Sequence, residues 1–531
     1  MGLEEEVPPN YHLGHLAFDN FRRHENIVFQ IDAATGEEES YGSVLNRSIR
    51  LAQALRAFGL SPGDVVAISG PNHLDLCIPF YAALFNGLPI VGVDPYFKYE
   101  EVRALLKLTS PRIAFCQNES RNVYTKAAAD LGLDVKLVTF DEGECTMQKF
   151  LEMYYRQGSE NDFKIAEFDQ EKIYAFLVST SGTSGKVKFA AIKHRPVLLK
   201  QLWLNQLQYK STSQERKETT KKILALSPVN WISKYVTLTM STVEGLTLLQ
   251  TSIPDNLDHV IDIINKYKPE STLFSPAMIA CLLARKDEVD LTCFESISVA
   301  GSKIYLDVLT EFKKLLDKKC MIIEAYGQTE MLGPILAFSP FAPPGSCGVP
   351  VDMYSIKLVN PDTGEEIKEA NVTGEIWAKG LSFSEYYKDP EETAQAFTED
   401  GYFKTGDLLY RDQNNNYYFV DRIKMLIKYR NSHVLPTELE EVTQKHPGVK
   451  EVCVVGIDDP VDGQRPLACV VRQKGSDVTA QEIQELVASN LSSKKELRGG
   501  LIFCESLPYT SSEKLCRSKI KEMALRILNN S

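Results

Sequence analysis

Ten consecutive residues, Ser179-Thr180-Ser181-Gly182-Thr183-Ser184-Gly185-Lys186-Val187-Lys188, hold the side chains that a bound polyphosphate calls for. Small residues let backbone N–H groups approach an anion, hydroxyls donate further hydrogen bonds, and lysines add positive charge. The spacing is not that of the common P-loop. Only Thr183 and Ser184 separate Gly182 from Gly185, and Val187 rather than Ser or Thr follows Lys186. Read alone, the stretch is either a phosphate cradle or a flexible Ser/Thr/Gly surface turn. Four more segments carry hydroxyls, carboxylates and cations in short compass: Ala325-Tyr326-Gly327-Gln328-Thr329-Glu330, Gly401-Tyr402-Phe403-Lys404-Thr405-Gly406-Asp407, Val420-Asp421-Arg422-Ile423-Lys424 continuing to Lys428, and Pro508-Tyr509-Thr510-Ser511-Ser512-Glu513-Lys514-Leu515.

Elements able to position these segments are written in the apolar pattern. The run over 173–178 leads into the first loop and reads as a short buried strand. Upstream, a helix begins at Tyr41 with Leu45, Ile49, Ala52 and Leu55 on one face and Gly59 where a C-cap belongs. Strands over 65–68, 90–93, 112–116 and 135–140 alternate with helices over 74–85 and 99–107. This alternation predicts an α/β fold with βαβ units and a largely parallel sheet, whose ligands sit at the carboxyl ends of the strands. Residues 211–222 are strongly polar and read as a solvated loop or helix face. From Cys347 the turn signals and runs at 354–359, 374–378 and 417–420 predict a small antiparallel β region. After Arg422 the pattern is α+β, with helices over 437–444 and 480–490 and strands over 451–457 and 467–472.

At 531 residues the chain exceeds one core, so two or more units are expected. Its formal net charge of -12 argues against a nucleic-acid surface or a general affinity for anionic membranes. Eleven cysteines without a C-x-x-C pair read as reduced intracellular thiols rather than a disulfide framework or zinc site. The acidic Met1-Gly2-Leu3-Glu4-Glu5-Glu6 start has no apolar signal region. No apolar run approaches the roughly 20 residues of a membrane span. A cytoplasmic protein is expected; a peroxisomal one is the alternative, although Asn529-Asn530-Ser531 is not a Ser-Lys-Leu address.

Together and in this order, the five segments resemble those of the adenylate-forming superfamily of acyl-CoA synthetases, peptide-synthetase adenylation domains and beetle luciferases. The resemblance runs from Tyr41 to about Lys521 and includes Phe85-Asn86-Gly87-Leu88-Pro89-Ile90-Val91-Gly92-Val93-Asp94-Pro95. Val420 to Lys428 and Leu435-Pro436-Thr437-Glu438-Leu439-Glu440 look most like insect luciferase-like and 4-coumarate-like CoA ligases. It implies a two-step reaction: ATP and a carboxylic acid give an acyl-adenylate and pyrophosphate, and the thiol of coenzyme A then displaces AMP. It further implies a large domain over 1–422 with the ATP and acid sites, and a mobile domain over 423–531 that rotates about a hinge near Lys424. By the same resemblance, Thr180, Ser181, Gly182, Thr183, Ser184, Gly185 and Lys188 would cradle phosphates. Tyr326 would stack on adenine, with Gly327 leaving room for close approach. Thr329 would bond the α-phosphate, Glu330 would ligate Mg²⁺, Asp407 would accept from the ribose, and Arg422 would donate to ribose or phosphate. Lys514 would be the adenylation lysine, and Lys428 a lysine brought inward for the thioester step. The bland alternatives are a solvated lysine at 514, a local ion pair at Asp421-Arg422 and a turn at Thr405-Gly406-Asp407.

Several positions depart from the family pattern. The usual Thr-Gly-x-Pro-Lys-Gly reads Ser184-Gly185-Lys186-Val187-Lys188-Phe189, which gives up proline's pre-organisation and is expected to put the bulk of Phe189 near the phosphates. Glu513 replaces a glycine and is expected to draw Lys514 into an ion pair; Asn431 replaces another. In the acid pocket, Asn230-Trp231-Ile232-Ser233 stands for His-His-Gly-Phe, and Ala300-Gly301-Ser302-Lys303 for Gly-Gly-Ala-Pro. Trp231 is expected to gate or shorten that pocket, favouring an acid smaller than a long-chain fatty acid. The resulting expectation is an acid–CoA ligase; the alternative is a catalytically weakened relative that binds nucleotide or acyl ligands, and luciferase activity is disfavoured.

Overall fold

The computed structural model describes residues 7–156, 162–180, 188–211, 221–253, 256–337, 342–430, 432–510 and 514–530. Ser181, Gly182, Thr183, Ser184 and Gly185 lie outside the described residues, as do Lys186, Val187, Asn431, Glu513 and the polar residues 212–220.

Two seven-stranded sheets dominate the N-terminal part. One runs in the order Glu385–Tyr386, Lys188–Lys193, Tyr174–Thr180, Ile90–Val93, Val66–Ser69, Ile113–Cys116, Lys136–Thr139. The other runs Met321–Glu324, Ser296–Val299, Ser271–Phe274, Lys222–Leu224, Thr247–Gln250, Val28–Asp32, Glu37–Ser40. Neighbours are parallel except at Tyr174–Thr180 with Lys188–Lys193, Lys188–Lys193 with Glu385–Tyr386, and Val28–Asp32 with Glu37–Ser40. Every residue of Val66–Ser69, Ile90–Val93 and Ile113–Cys116 is buried. Strands covered on both faces read as unbroken apolar runs, which is why they were legible. The edge strand Glu37–Ser40 buries only Glu39, so no apolar alternation announces it. The strand Lys188–Lys193 was also missed, because its start is written as the tail of the phosphate loop.

The helix Ile232–Glu244 is tied through tyrosine hydroxyls to the helices Tyr41–Phe58 and Cys77–Asn86 and to the strand Ile90–Val93. Tyr41 donates to the carbonyls of Ser241 and Leu246 at 2.8 and 2.7 Å, and Tyr81 donates to Leu238 O at 2.9 Å. From the other side, Gly92 N–H donates to the Tyr235 hydroxyl at 2.6 Å. A Cβ on Gly92 would lie 2.0 Å from Val229 O, so only glycine lets the strand approach this closely. The N-cap position of this helix is Trp231.

Two antiparallel sheets follow, one of three strands (Tyr326–Gln328, Gly333–Ala337, Val349–Pro350) and one of five (Glu366–Ile367, Tyr354–Val359, Gly374–Gly380, Phe403–Arg411, Tyr417–Arg422). They form the expected β region. Beyond Arg422, a 3₁₀ turn at Ile423–Met425 leads to a separate sheet of Ser432–Val434, Ile427–Tyr429, Gly463–Arg472 and Val449–Asp459, to which Gly500–Cys504 pairs in parallel. Helices Pro436–Gln444, Ala480–Asn490 and Arg517–Asn530 flank it. Arg517 docks the last helix: its guanidinium donates to Glu440 at 2.5 and 2.8 Å and to Val454 O at 2.7 Å. Glu440 in turn accepts from Val454 N–H at 2.7 Å. A bidentate pair with its remaining lone pairs satisfied is the arrangement in which buried charges persist. Among the described residues, no helix is long and apolar enough to cross a membrane.

Candidate active site

The carboxyl ends of strands from both large sheets face one cleft of about 3070 Å³. Thr180 lines it from one sheet, together with Asp94 and Pro95 after Ile90–Val93 and Gly70 and Pro71 after Val66–Ser69. From the other sheet come Ser275, the Ala300-Gly301-Ser302 segment and Ala325. The cleft sits where parallel strands end, as their polarity predicts.

Asp407 is the most enclosed carboxylate of the wall, at 2 % exposed. It lies opposite Arg422 on the neighbouring strand, and Arg422 Nε approaches its Oδ1 at 3.2 Å. Its Oδ2 accepts from the Tyr326 hydroxyl at 2.8 Å and from Gln328 Nε2 at 2.5 Å. Gln328 also donates to Thr405 O at 3.0 Å, which holds its amide across the carboxylate. Asp407 thus joins the Tyr326–Gln328 strand to the five-stranded sheet while facing the cleft.

Tyr326 departs from expectation. Its ring is turned inward against Phe419, with centroids 6.2 Å apart, and the wall at this level is made by Ala325, Gly327 and Gln328. The bond to Asp407 is the physical reason for the inward turn. Gly327 is also needed on other grounds than expected, because a Cβ there would stand 2.1 Å from Gly333 O on the paired strand.

Thr329 and Glu330 occupy a 3₁₀ turn, Thr329–Met331, and both line the cleft. Glu330 Oε1 accepts from the Tyr386 hydroxyl at 3.0 Å, and burial raises its carboxyl above the usual range. Lys188 reaches the same corner. Its ammonium lies 5.4 Å from the Tyr386 ring centre and pairs with Glu392 at 2.5 Å. Phe189 does not crowd this corner. Its backbone pairs with Ser179, its side chain is 1 % exposed in the core beside Val91 and Leu177, and its φ is not positive. Alternation along the strand sends Lys188 to the cleft and Phe189 away from it. Contrary to expectation, Phe189 therefore adds no bulk to the cleft.

Lys514, from the C-terminal part, enters the cleft beside Gly301; its Cε lies 4.0 Å from where a Cβ on Gly301 would be. Burial and then the nearby Arg422 push its ammonium down to about 8, while Asp407 and Glu330 pull the other way. Lys424 lines the cleft, whereas Lys428 is exposed on the strand Ile427–Tyr429, outside it. Trp231, Ala300, Gly301 and Ser302 all line the cleft, and the indole Nε1 of Trp231 is buried without a partner among the described residues. The structure therefore brings together Thr180, Lys188, Gly327, Thr329, Glu330, Asp407, Arg422, Lys424, Lys514, Trp231, Ala300, Gly301 and Ser302.

Sequence reasoning missed Gln328, Tyr386 and Glu392, which hold Asp407, Glu330 and Lys188. Gln328 stood inside a motif without a role. Tyr386 precedes the proline-started helix Pro390–Ala396 and Glu392 lies in its first turn, and no spacing rule links them to residues far upstream.

The sequence profile of the AMP-binding enzymes matches residues 17–387, and that of the AMP-binding enzyme C-terminal domain matches residues 438–514. A luciferin 4-monooxygenase of Photuris pensylvanica is 28% identical over 503 residues, covering 93% of this chain and 91% of that protein. A 4-coumarate–CoA ligase-like 9 of Arabidopsis thaliana is 28% identical over 513 residues, covering 94% and 88%. In three dimensions, ATP-bound MatB from Rhodopseudomonas palustris superimposes with a TM-score of 0.85 over 97% of this chain and 100% of that one, at 21% identity. With its cleft at the strand ends and both family profiles matched in order, this chain belongs to the AMP-binding enzymes of the adenylate-forming superfamily.

Proposed function

We propose that the protein is an ATP-dependent acid–CoA ligase that forms an acyl-adenylate and then transfers the acyl group to the thiol of coenzyme A. The observation that carries this reading is the convergence of Lys514 with Glu330, Thr329, Asp407 and Arg422 on one cleft. In the first step a carboxylate oxygen attacks the α-phosphorus and pyrophosphate leaves. The Lys514 ammonium, held at the cleft wall, neutralises charge that grows on the α-phosphate and the attacking oxygen. Thr329 donates to the same phosphate, Arg422 and Asp407 hold the ribose region, and Lys188 exchanges Glu392 for a phosphate oxygen. Trp231, Ala300, Gly301 and Ser302 shape the acid side.

Glu330 fits a magnesium ion. It is a single buried carboxylate anchored through one oxygen by Tyr386, beside Thr329, and Mg²⁺ prefers one or two carboxylates completed by phosphate oxygens and water. When bound, the ion supplies charge neutralisation to the phosphates. For the second step, the reading places a domain boundary at 422/423 and a hinge near Lys424, with rotation carrying Lys514 out and Lys428 in. The passage from one sheet to another across the turn at Ile423–Met425 supports that boundary.

The test is pyrophosphate release from ATP and Mg²⁺ with a panel of carboxylic acids, followed by thioester detection with coenzyme A and a photon count in air. Pyrophosphate and thioester with at least one acid are expected. Adenylate without thioester points to another acceptor, light points to an oxidative second step, and no pyrophosphate with any acid refutes the ligase reading in favour of a binding protein.

A further inference from the structure

The cleft wall contains a buried cation that the adenylation chemistry does not use. Lys200, on the helix His194–Ser211, is 6 % exposed yet belongs to that wall. Its ammonium donates to the Tyr354 hydroxyl at 2.9 Å, to Pro334 O at 3.1 Å and to Met331 O at 3.3 Å. All three acceptors are neutral. Among the described residues no charged neighbour offsets the burial, which pushes the ammonium down to about 7. Phe176, Val197, Ile232, Val236 and Leu332 line the small cavity beside it, with Gln201 and Tyr235 as the polar members.

A buried charge without a counter-charge is costly, and a methionine would fill the same volume without that cost. The acceptors of Lys200 also give its location. Met331 follows Thr329 and Glu330 directly, and Leu332, Gly333 and Pro334 after it line the cleft. The cation therefore stands behind the segment that faces the nucleotide. An acid with an apolar end finds nothing there to match the charge. An anionic end does, because it replaces the weak Tyr354 acceptor and restores full charge to the lysine. Tyr354 itself has a second outlet, since its hydroxyl donates to Met331 O at 2.8 Å.

We propose that Lys200 is a specificity-determining residue and that the acid activated here is a dicarboxylic acid whose remote carboxylate meets the Lys200 ammonium. The proposal rests on the acid-activating reading of the cleft and names the substrate class for it.

The test compares α,ω-dicarboxylic acids with monocarboxylic acids of equal chain length. Two readouts are used: calorimetric binding in the presence of ATP, and acid-dependent ATP–pyrophosphate exchange. Wild type is expected to favour the best dicarboxylate over its methyl-ended counterpart by about ten- to hundredfold. Lys200→Met is expected to bring that ratio to one or below, and Lys200→Arg to retain it. Because both acids are measured on the same preparation, the ratio is independent of the fraction folded. A wild-type ratio at or below one, a ratio unchanged in Lys200→Met, or no dicarboxylate binding overturns the proposal. Exchange with monocarboxylates at a ratio below one overturns it while leaving the ligase reading intact. Lys200-dependent dicarboxylate binding without exchange supports the proposal and overturns the ligase reading.

Discussion

Replacing Lys514 by methionine should move stability and catalysis in opposite directions. In the folded chain the ammonium is lowered from 10.5 to about 8, chiefly by burial and then by Arg422. Each unit corresponds to 1.36 kcal/mol, so the charged form costs up to about 3 kcal/mol relative to an exposed lysine. The sign follows from proton counting. Between pH 8 and 10.5 the unfolded chain binds more protons than the native one, so stability rises with pH through that window, and the full cost is present below pH 8. Lys514→Met removes that cost and should stabilise the nucleotide-free protein at neutral pH by up to about 3 kcal/mol in urea titrations. The same change should slow acid-dependent ATP–pyrophosphate exchange by about 10²–10³-fold, the usual effect of losing one preorganised donor. In wild type, kcat/KM should fall above about pH 8, where the free enzyme loses the proton, while kcat should fall at higher pH because bound phosphates favour the ammonium. An exchange rate close to wild type, or a methionine variant less stable than wild type, would refute the reasoning.

Asp407→Asn should weaken ATP binding by about tenfold or more, because Arg422, Tyr326 and Gln328 lose their shared anionic acceptor; unchanged affinity in equilibrium dialysis would remove Asp407 from the nucleotide site. Arg517→Met should destabilise the C-terminal part by about 3–5 kcal/mol by leaving Glu440 buried and unpaired, and adding Glu440→Gln should restore part of the loss in urea unfolding. Gly92→Ala should cost about 1–3 kcal/mol or more, since its Cβ would stand 2.0 Å from Val229 O; a melting temperature equal to wild type would show that the strand and the helix behind it can separate freely.

Much of the framework was legible because the buried strands carry their own signature. Ile90–Val93 and Ile113–Cys116 sit where unbroken apolar runs bounded by turn residues placed them, and the helix Tyr41–Phe58 ends at Gly59 with φ 102, as its C-cap position predicts. Motifs at Thr329-Glu330, Thr405-Gly406-Asp407 and Lys514 were recognisable because chemistry restricts residue types over short spans. Less legible were features whose cause lies far away in sequence. Whether Phe189 crowds the phosphates depends on which face of the strand it occupies, and that was set by pairing with Tyr174–Thr180. Whether Tyr326 offers a stacking face depends on Asp407, eighty-one positions downstream.

The sequence by itself determined the class of fold, the order of its units and the set of groups able to handle a polyphosphate and a carboxylate. These follow from local periodicity and from residue type. The tertiary structure alone decided which groups share a corner: Lys188 with Glu392 and Tyr386, Glu330 with Tyr386, Asp407 with Tyr326, Gln328 and Arg422, and Lys514 with Gly301. It also turned Lys200, one lysine among the chain's many, into a buried cation in the wall of the cleft. Charge, burial and the partners available to a polar group are properties of the packed chain, set by residues that no window along the sequence contains.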